Sequence, residues 1–333
     1  MRALVVSNML PDAAHPERGR FVRDQVDALR ALEGLEVELY EFPPGARALA
    51  GAASDMRRAF PRGRPPDRQA SQRFDVVHAH FGLTAWPALA VAARVRALTV
   101  HGTDLLHPRT RLATRAVLPL LDLVAAVSAP LATQLPGRAA RRRAQVLPCG
   151  VDLERFRPLP RARAREELGL DPERPYVLFP ADPARAEKRH DRALALSRAA
   201  DVELLTLGGI APDRVPLWVN GASAVLVPSE REGFGLAVLE ALACDVPVLA
   251  TPVGIHPEVL AGVGGTLCAP FDLARWGAAL EPHLSVPDRS QPASTVEKEA
   301  GRVDGRASAM RFSASRMAER VAAAWRAALE RSG

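Results

Sequence analysis

Short apolar runs with strand character alternate with amphipathic segments along most of the chain, and this alternation most limits its possible folds. The runs are rich in valine and leucine and are bounded by loop residues, as are buried strands of parallel sheets. In the first series the candidate strands are RALVVSN (2–8), LEVELYEF (35–42), DVVHAHF (75–81), ALTVHGTDL (97–105), one within LPLLDLVAAVSA (118–129) and AQVLPCGVD (144–152). In the second series they are PYVLFPAD (175–182), VELLTLGG (202–209), ASAVLVPSE (222–230), VPVLATPVG (246–254) and GGTLCAP (264–270). Strands that alternate with helices build doubly wound parallel sheets, so the repetition predicts two α/β domains.

The junction between the two domains is expected after residue 157. Residues 1–157 then form the first domain, and residues 158–309 form the second. A final helix is predicted over residues 313–331, beginning at a serine that is a favourable N-cap.

Three segments carry more local expectations. In the final helix, Met317, Val321 and Trp325 recur every four residues and form an apolar stripe. A further helix is predicted over TAWPALAVAARV (84–95). Residues 285–308 are small and polar, and they are interpreted as a loose linker.

The formal net charge is +6, and the basic excess lies in the first half of the chain. Arginines cluster at 57–73 and again at Arg138, Arg141, Arg142 and Arg143. Such a basic face attracts anionic lipid or nucleic acid, although a solvated, arginine-rich surface would look the same. Because no aromatic residues interleave with the second cluster, we expect no nucleic-acid partner. We expect peripheral contact with an anionic membrane, aided by Arg141, Arg142 and Arg143.

Cysteine content and hydropathy suggest a cellular location. Cys149, Cys244 and Cys268 are far apart and show neither a disulfide framework nor the spacing of metal ligands. The sequence contains no uninterrupted run of 18 apolar residues, so it predicts no membrane-spanning helix. We therefore expect a protein of the reducing cytoplasm, at most peripheral at the inner face of the cell membrane.

The stretch SEREGFGLAVLEALACDVPVLATPVG (229–254) places two acids, Glu232 and Glu240, around a Gly-Phe-Gly turn. The turn follows a predicted strand and opens a predicted helix, whose N-terminal N–H groups suit a phosphate. Gly233 and Gly235 remove side chains where a ligand would approach. A carboxylate accepts two hydrogen bonds side by side and so suits the vicinal hydroxyls of a sugar or a ribose. The stretch therefore predicts a site for a nucleotide-linked sugar.

With its surroundings, this stretch resembles the E-x7-E signature of glycosyltransferase family 4, and the likeness covers nearly the whole chain. The other matching segments are PERGRF, FDVVHAHFG, TVHGTDL, AVSAPLA and LPCGVDLERFRP. Members of that family are retaining enzymes with the GT-B fold. The resemblance thus implies two facing Rossmann-like doubly wound domains and a C-terminal helix that crosses back to the first.

The resemblance also assigns roles at matching positions. Catalytic roles fall on His101, Lys188 and Glu232, with Glu232 contacting donor sugar hydroxyls and Lys188 neutralising the phosphates of the leaving group. Donor binding falls on Gly19, Arg185, Gly233, Phe234, Gly235, Leu236 and Glu240, the last holding the ribose diol. Neither a cofactor nor a metal is implied. Many relatives carry Gly-Arg six residues before the lysine, whereas this chain has Asp182, so Arg185 or Arg189 is expected to supply the second cation.

Three further residues keep alternative interpretations. His78 and His80 lie two apart and share one face of a strand, where they could bind a metal, pack, or face substrate. Asp104 could form an active-site hydrogen bond or cap a helix.

The predicted function is transfer of a hexose from a nucleotide-diphospho-sugar, UDP- or GDP-linked, to a hydroxyl of a glycan, a lipid-linked acceptor or a small molecule. A non-catalytic GT-B scaffold or glycan-binding subunit is the alternative, and Asp182 is its best support. A nicotinamide oxidoreductase is disfavoured, because no G-x-G-x-x-G follows the first strand.

Overall fold

The structure is a computed structural model that describes residues 1–61, 74–284 and 301–332. It divides into two compact units, one of residues 1–150 with 314–333 and one of residues 151–313. Arg62, Arg64, Arg68 and Arg73 of the first arginine cluster and most of the expected linker lie outside the described residues.

The first unit is built on a six-stranded parallel sheet in the order β2-β1-β3-β4-β5-β6. Its strands are β1 (Arg2–Ser7), β2 (Glu36–Glu41), β3 (Phe74–His80), β4 (Ala93–Val100), β5 (Leu123–Ala126) and β6 (Gln145–Val146). In the register of β3 and β4, His80 lies opposite Thr99. Strand β1 lies between β2 and β3. The chain adds β2 on one side of β1 and then β3 to β6 on the other side, so the strand order reverses between β1 and β3.

Helices cover this sheet, and the last helix of the chain is one of them. The others are α1 (Arg20–Arg30), α2 (Ala46–Ala59), α3 (Ala85–Ala88), α4 (Thr103–Leu106), α5 (Pro108–Val117), α6 (Ala129–Thr133) and α7 (Arg138–Arg143). The C-terminal helix (Ala314–Arg331) buries Met317, Val321 and Trp325 in one core with Val22 and Val26 of α1. The apolar stripe that recurs every four residues is thus the packing face of this helix.

The second unit has a five-stranded parallel sheet in the order β11-β10-β9-β7-β8. Its strands are β7 (Tyr176–Phe179), β8 (Glu203–Thr206), β9 (Ala224–Val227), β10 (Val248–Ala250) and β11 (Leu267–Cys268). Its helices are α8 (Arg161–Leu168), α9 (His190–Ala199), α10 (Val215–Gly221), α11 (Leu236–Ala243), α12 (His256–Leu260), α13 (Leu273–Leu280) and α14 (Arg306–Met310). The strand order reverses between β7 and β9, so ligands are expected beyond the carboxyl ends of these two strands.

The structure places the junction between the units at Val151, earlier than the expected boundary at 157. The N–H of Val151 donates to the carbonyl of Phe312 at 2.9 Å, and Arg306 donates to the carbonyl of Phe156 at 2.8 Å. These bonds hold the segment between β6 and α8 against residues near the end of the second unit. That unit extends through Ser313, and the C-terminal helix begins at Ala314.

Two local expectations were wrong. The helix expected over 84–95 ends at Ala88, and β4 already begins at Ala93, where exposed Arg94 between buried neighbours follows the two-residue period of a strand. The described part of the expected linker, residues 301–308, is packed. Arg302 donates to the carbonyls of Leu159 and Cys244 at 2.7 and 3.1 Å.

The arginines of α7, expected at a membrane from the sequence, also make contacts within the fold. Arg141 donates to the carbonyl of Leu135 at 2.9 Å, and Arg143 donates to the carbonyls of Leu121 and Leu118. Two of the three arginines therefore stabilise the ends of neighbouring segments. No helix within residues 1–61, 74–284 and 301–332 is both long and apolar enough to cross a membrane.

Candidate active site

In the second unit the predicted site residues follow the two strands that flank the reversal of strand order; in the first unit one follows β1, at the reversal, and another follows β4, the strand beside β3. In the second unit, Lys188 follows β7 and Glu232 follows β9. In the first unit, Gly19 ends the connection from β1 to α1, and His101 directly follows β4. This is where doubly wound sheets bind ligands.

Lys188 and Glu232 form a close ion pair at the carboxyl edge of the second sheet. Lys188 Nζ lies 2.7 and 2.8 Å from the two carboxylate oxygens of Glu232, and the exposed fractions of these side chains are 17% and 9%. Ser229 donates to Glu232 Oε1 at 2.8 Å. Thr251 in turn donates to the Ser229 carbonyl at 2.5 Å, so the loop after β9 is tied to the end of β10. The carboxylate is thus held by Lys188 and by Ser229, whose own position is fixed by Thr251.

The charge of Glu232 is maintained against its burial. Burial opposes ionisation, but the charge of Lys188 and its hydrogen bonds outweigh it, so the pKa of Glu232 is lowered. His256 and Ser229 act in the same direction. The site therefore keeps a buried carboxylate and an ammonium group, each oriented by the other.

The loop from Glu232 to α11 requires glycine at a close approach. Gly235 has φ +110°, and a Cβ there would lie 2.4 Å from His256 Nε2. His256 donates from Nδ1 to the Thr251 carbonyl at 2.9 Å, which fixes its tautomer and leaves Nε2 as an acceptor. That buried Nε2 has no hydrogen-bond partner within the described residues. The N-terminus of α11 is thereby pressed against α12.

The remaining donor-binding candidates of this segment have different environments. The Phe234 side chain is buried against Phe312, with ring centroids 6.1 Å apart, and its carbonyl accepts from the Ile255 N–H at 2.9 Å. A ligand at this point would therefore meet backbone and not the Phe234 ring. Leu236 and Glu240 are half-buried on the first two turns of α11.

The arginines near Lys188 are paired with acids. Arg185 lies on Glu187 at 2.8 Å, and Arg189 contacts Asp191 at 2.7 Å and Glu230 at 2.6 Å. Asp182 accepts the N–H of Ala184 at 2.8 Å and so shapes the turn after β7. Neither guanidinium group is bonded to Glu232 in this arrangement, although the Lys188 N–H donates to the Arg185 carbonyl at 2.9 Å.

In the first unit, Asp104 holds the turn that presents His101. Its carboxylate accepts from the N–H groups of His101, Gly102 and Gly82 at 3.1, 2.9 and 3.3 Å. Burial raises the pKa of Asp104 to about 6, against the effect of these bonds. Asp104 is therefore a clamp between two loops, a role that neither earlier interpretation included.

Behind His101 lies a column of buried histidines. His101 Nε2 is 2.9 Å from His80 Nδ1, and the His80 ring stacks on His78 at 5.1 Å. His78 accepts from Trp325 Nε1 of the C-terminal helix at 3.0 Å and is 2.8 Å from Thr99 Oγ1. Burial lowers the pKa of His78 and of His101 to about 3 and that of His80 well below its usual value. All three rings are therefore neutral at pH 7.

Two aromatic rings enclose His101. Phe21 of α1 lies 4.9 Å from it and Phe81 lies 4.7 Å from it, centroid to centroid. Phe81 adopts φ +72°, a strained conformation for a residue with a side chain. Gly19, two residues before Phe21, has φ +71°, and a Cβ there would lie 2.4 Å from the Met9 carbonyl. Gly19 thus lets α1 begin where Phe21 reaches His101.

Sequence reasoning missed Ser229, His256, Phe21 and Phe81 as parts of these sites. In the sequence Phe21 is only an apolar residue shortly after Gly19, and His256 follows Gly254 without any spacing that would mark it as part of a site. The Phe81 signal was its position at a strand end beside the HAH sequence.

The described parts of the chain contain neither a cluster of possible metal ligands nor a disulfide bond. No group of three or more His, Cys, Asp or Glu side chains there is arranged to hold a metal ion. The three cysteines are free, and burial raises the pKa of Cys149 and of Cys244 to about 12, so both stay protonated.

Comparisons with known proteins agree with this architecture. Residues 14–155 match the family model described as Glycosyltransferase Family 4, and residues 182–285 match the model described as Glycosyl transferases group 1. The chain is 31% identical over 315 residues to a D-inositol 3-phosphate glycosyltransferase of Thermobispora bispora, covering 78% of this chain and 72% of the relative. It is also 31% identical over 337 residues to the enzyme of that name from Actinosynnema mirum, covering 77% and 81%.

Solved structures show the same fold. A sucrose-phosphate synthase of Thermosynechococcus elongatus superposes with a TM-score of 0.69 at 19% identity, over 98% of both chains. Anabaena HepE in complex with UDP and glucose gives 0.65 at 17% identity, over 97% of this chain and 98% of that one. The protein has the GT-B fold and is a glycosyltransferase. It belongs to glycosyltransferase family 4.

Proposed function

We propose that the enzyme transfers a hexose, with retention of anomeric configuration, from a nucleotide-diphospho-sugar to a hydroxyl group. UDP- and GDP-sugars are the first donors to test. The observation that carries the proposal is the buried Lys188–Glu232 pair at the carboxyl edge of the second sheet, directly before the N-terminus of α11. This arrangement offers a cation and N–H groups for a diphosphate, beside a carboxylate for sugar hydroxyls.

Each group has a part in breaking the bond between sugar and phosphate. Negative charge builds on the diphosphate as the bond breaks, and Lys188 with the N-terminus of α11 would stabilise it. Positive charge builds on the sugar, and Glu232 would orient its hydroxyls and stabilise that charge. Glu240 would hold the ribose diol. Because Lys188 already supplies a cation, we propose that the reaction needs no added metal.

In the first unit, we propose that His101 binds substrate through its Nδ1, while the opposite nitrogen is held by His80. The acceptor would be a glycan, a lipid-linked molecule or a small molecule. D-inositol 3-phosphate, which names several relatives, is the first acceptor to try. The free cysteines support work in a reducing cytoplasm.

Thermal stability with added nucleotides tests the donor site directly. UDP, GDP, ADP, dTDP and CMP would each be added in the presence of EDTA. A nucleotide at 100 times its dissociation constant should add about 2.7 kcal/mol to the free energy of unfolding. We expect one nucleotide to stabilise the protein and Glu240→Ala to weaken its effect. Glu258→Ala, at an exposed position of α12, is the matched control and should respond like the wild type.

Two further outcomes decide the rest. Proton NMR of the product would show whether the new glycosidic bond keeps the donor's anomeric configuration. No stabilisation by any of the five nucleotides, together with no transfer, would favour a non-catalytic scaffold instead.

A further inference from the structure

Helix α5 presents an exposed leucine between arginines. Leu112 is 66% exposed, and Arg109 and Arg115 lie one turn away on either side of it. Within α5 only Thr114 and Val117 are buried. The rest of the helix surface is thus in contact with solvent.

In the part of the chain that the structure describes, the arginines of this helix have no acidic partner. The guanidinium groups of Arg109, Arg111 and Arg115 make no hydrogen bond or ion pair with any group of residues 1–61, 74–284 and 301–332. Residues 105–121 contain no aspartate or glutamate. Elsewhere in the same unit arginines are used for structure, as in the Arg23–Glu41 pair at 3.0 Å. The charge of α5 is therefore available for an external anion.

Other exposed apolar side chains surround the helix. Leu106 and Leu120 lie just before and just after it in the chain, and both are exposed. Trp86 is exposed too, and its Nε1 donates to the Ala113 carbonyl of α5 at 3.1 Å. We call Trp86, Leu106, Leu112 and Leu120 with the three arginines the α5 surface. It holds four of the large exposed apolar residues found in the described chain.

The chemistry of the α5 surface selects its occupant. Leu112 lies between two arginines, and no acidic residue occurs within residues 105–121, so the positive charge of this surface is complementary to an anionic partner. Arginines that extend their stems over apolar groups, with leucine and tryptophan between them, match the boundary of headgroups and acyl chains. We propose that the α5 surface docks on an anionic lipid bilayer.

The position of this surface adds a link to the reaction. Helix α4 begins two residues after His101 and leads directly into α5. If the proposed function holds, a bilayer under α5 would bring a lipid-linked acceptor close to His101. Membrane binding itself does not depend on that function.

Vesicle co-sedimentation of the full chain tests the proposal, using phosphatidylglycerol with phosphatidylcholine against phosphatidylcholine alone. We expect binding to the anionic vesicles only. The double variant Arg109→Gln with Arg115→Gln should weaken vesicle binding roughly 30-fold, because each basic residue near an anionic surface increases the affinity about fivefold. Leu112→Gln should weaken it several-fold without changing charge.

The matched control removes the same charge elsewhere. Arg320→Gln with Arg326→Gln changes two exposed arginines on the C-terminal helix and should leave binding within about twofold of the wild type. Equal loss in both double variants would overturn the proposal in favour of diffuse attraction by net charge, and absence of binding to anionic vesicles would overturn it outright. The nucleotide-dependent thermal shift, measured on the same variants, reports separately on the donor site.

Discussion

His80 and His101 share a hydrogen bond of 2.9 Å between Nδ1 of the first and Nε2 of the second. Both rings are neutral, so one nitrogen donates and the other accepts. His80 Nε2 is buried without a partner in the described structure. An unpaired buried acceptor is tolerated better than an unpaired buried N–H. We therefore assign the proton to His80 Nδ1, which leaves the proton of His101 on Nδ1 and available to substrate.

Replacing His80 should separate packing from this hydrogen bond. His80→Phe keeps a ring of similar size but cannot donate, and it should lower kcat about tenfold, the value of one hydrogen bond of roughly 1.4 kcal/mol. His80→Asn places an N–H near the position of Nδ1 and should recover most of that loss. Steady-state kinetics at saturating donor would measure both, and KM for the donor should change little. Wild-type kcat in His80→Phe would refute the assignment.

The Lys188–Glu232 pair should show strong energetic coupling. Lys188→Met leaves a buried carboxylate without its cation and should cost about 3–5 kcal/mol of stability. The double variant with Glu232→Gln should cost less than the sum of the two single variants, because it leaves no unpaired charge. Urea denaturation of all four proteins measures the coupling. Strict additivity would mean that the two side chains do not form this pair in solution.

Gly235 should tolerate alanine much less well than a glycine in open space. Gly262 also has positive φ, +76°, but a Cβ there meets nothing within 4 Å, so Gly262→Ala should cost only about 1–2 kcal/mol. Gly235→Ala adds a collision with His256 and should cost more, and it should also weaken nucleotide binding. Chemical denaturation and the thermal-shift assay compare the two. Equal effects in both assays would show that the α11–α12 approach is looser than described.

The histidine column should make stability depend on pH. His78 and His101 have pKa values of about 3 in the folded state, against about 6.5 when unfolded. Below pH 6.5 the unfolded chain binds more protons, so their contribution to stability is complete above that pH and falls as the pH drops toward 3. Asp104 acts in the opposite direction, because its pKa is raised to about 6 and protonation favours the folded state. With three histidines against one carboxyl group, the net effect is a loss.

Urea denaturation between pH 7 and pH 4.5 would measure that loss. His78→Phe should reduce the slope of stability against pH, even though it lowers stability at every pH by removing the Trp325 bond. His107→Gln, at an exposed position, is the control and should keep the wild-type slope. An unchanged slope in His78→Phe would contradict a buried, neutral His78.

The sequence was informative where a local pattern reports local structure. Apolar periodicity located the strands, and glycine at positive φ explains Gly19 and Gly235. Lys188 and Glu232 could be named separately, but 44 residues separate them, and no spacing reveals that their side chains meet. The same holds for Phe21, whose contact with His101 depends on how α1 lies on the sheet. The carbonyl contacts of Arg141 and Arg143 could not be foreseen either, because sequence cannot show which carbonyls a cation will reach.

The C-terminal helix has a consequence for the order of folding during synthesis. Residues 314–331 leave the ribosome after the second unit, yet they complete a core whose other half, including Val22 and Val26, is made before that unit. The second unit is continuous from Val151 to Ser313 and can finish folding while the first still waits. A nascent chain halted before Ala314 would leave exposed the apolar side chains that pack against Trp325, and such exposure makes a partly folded chain prone to aggregation.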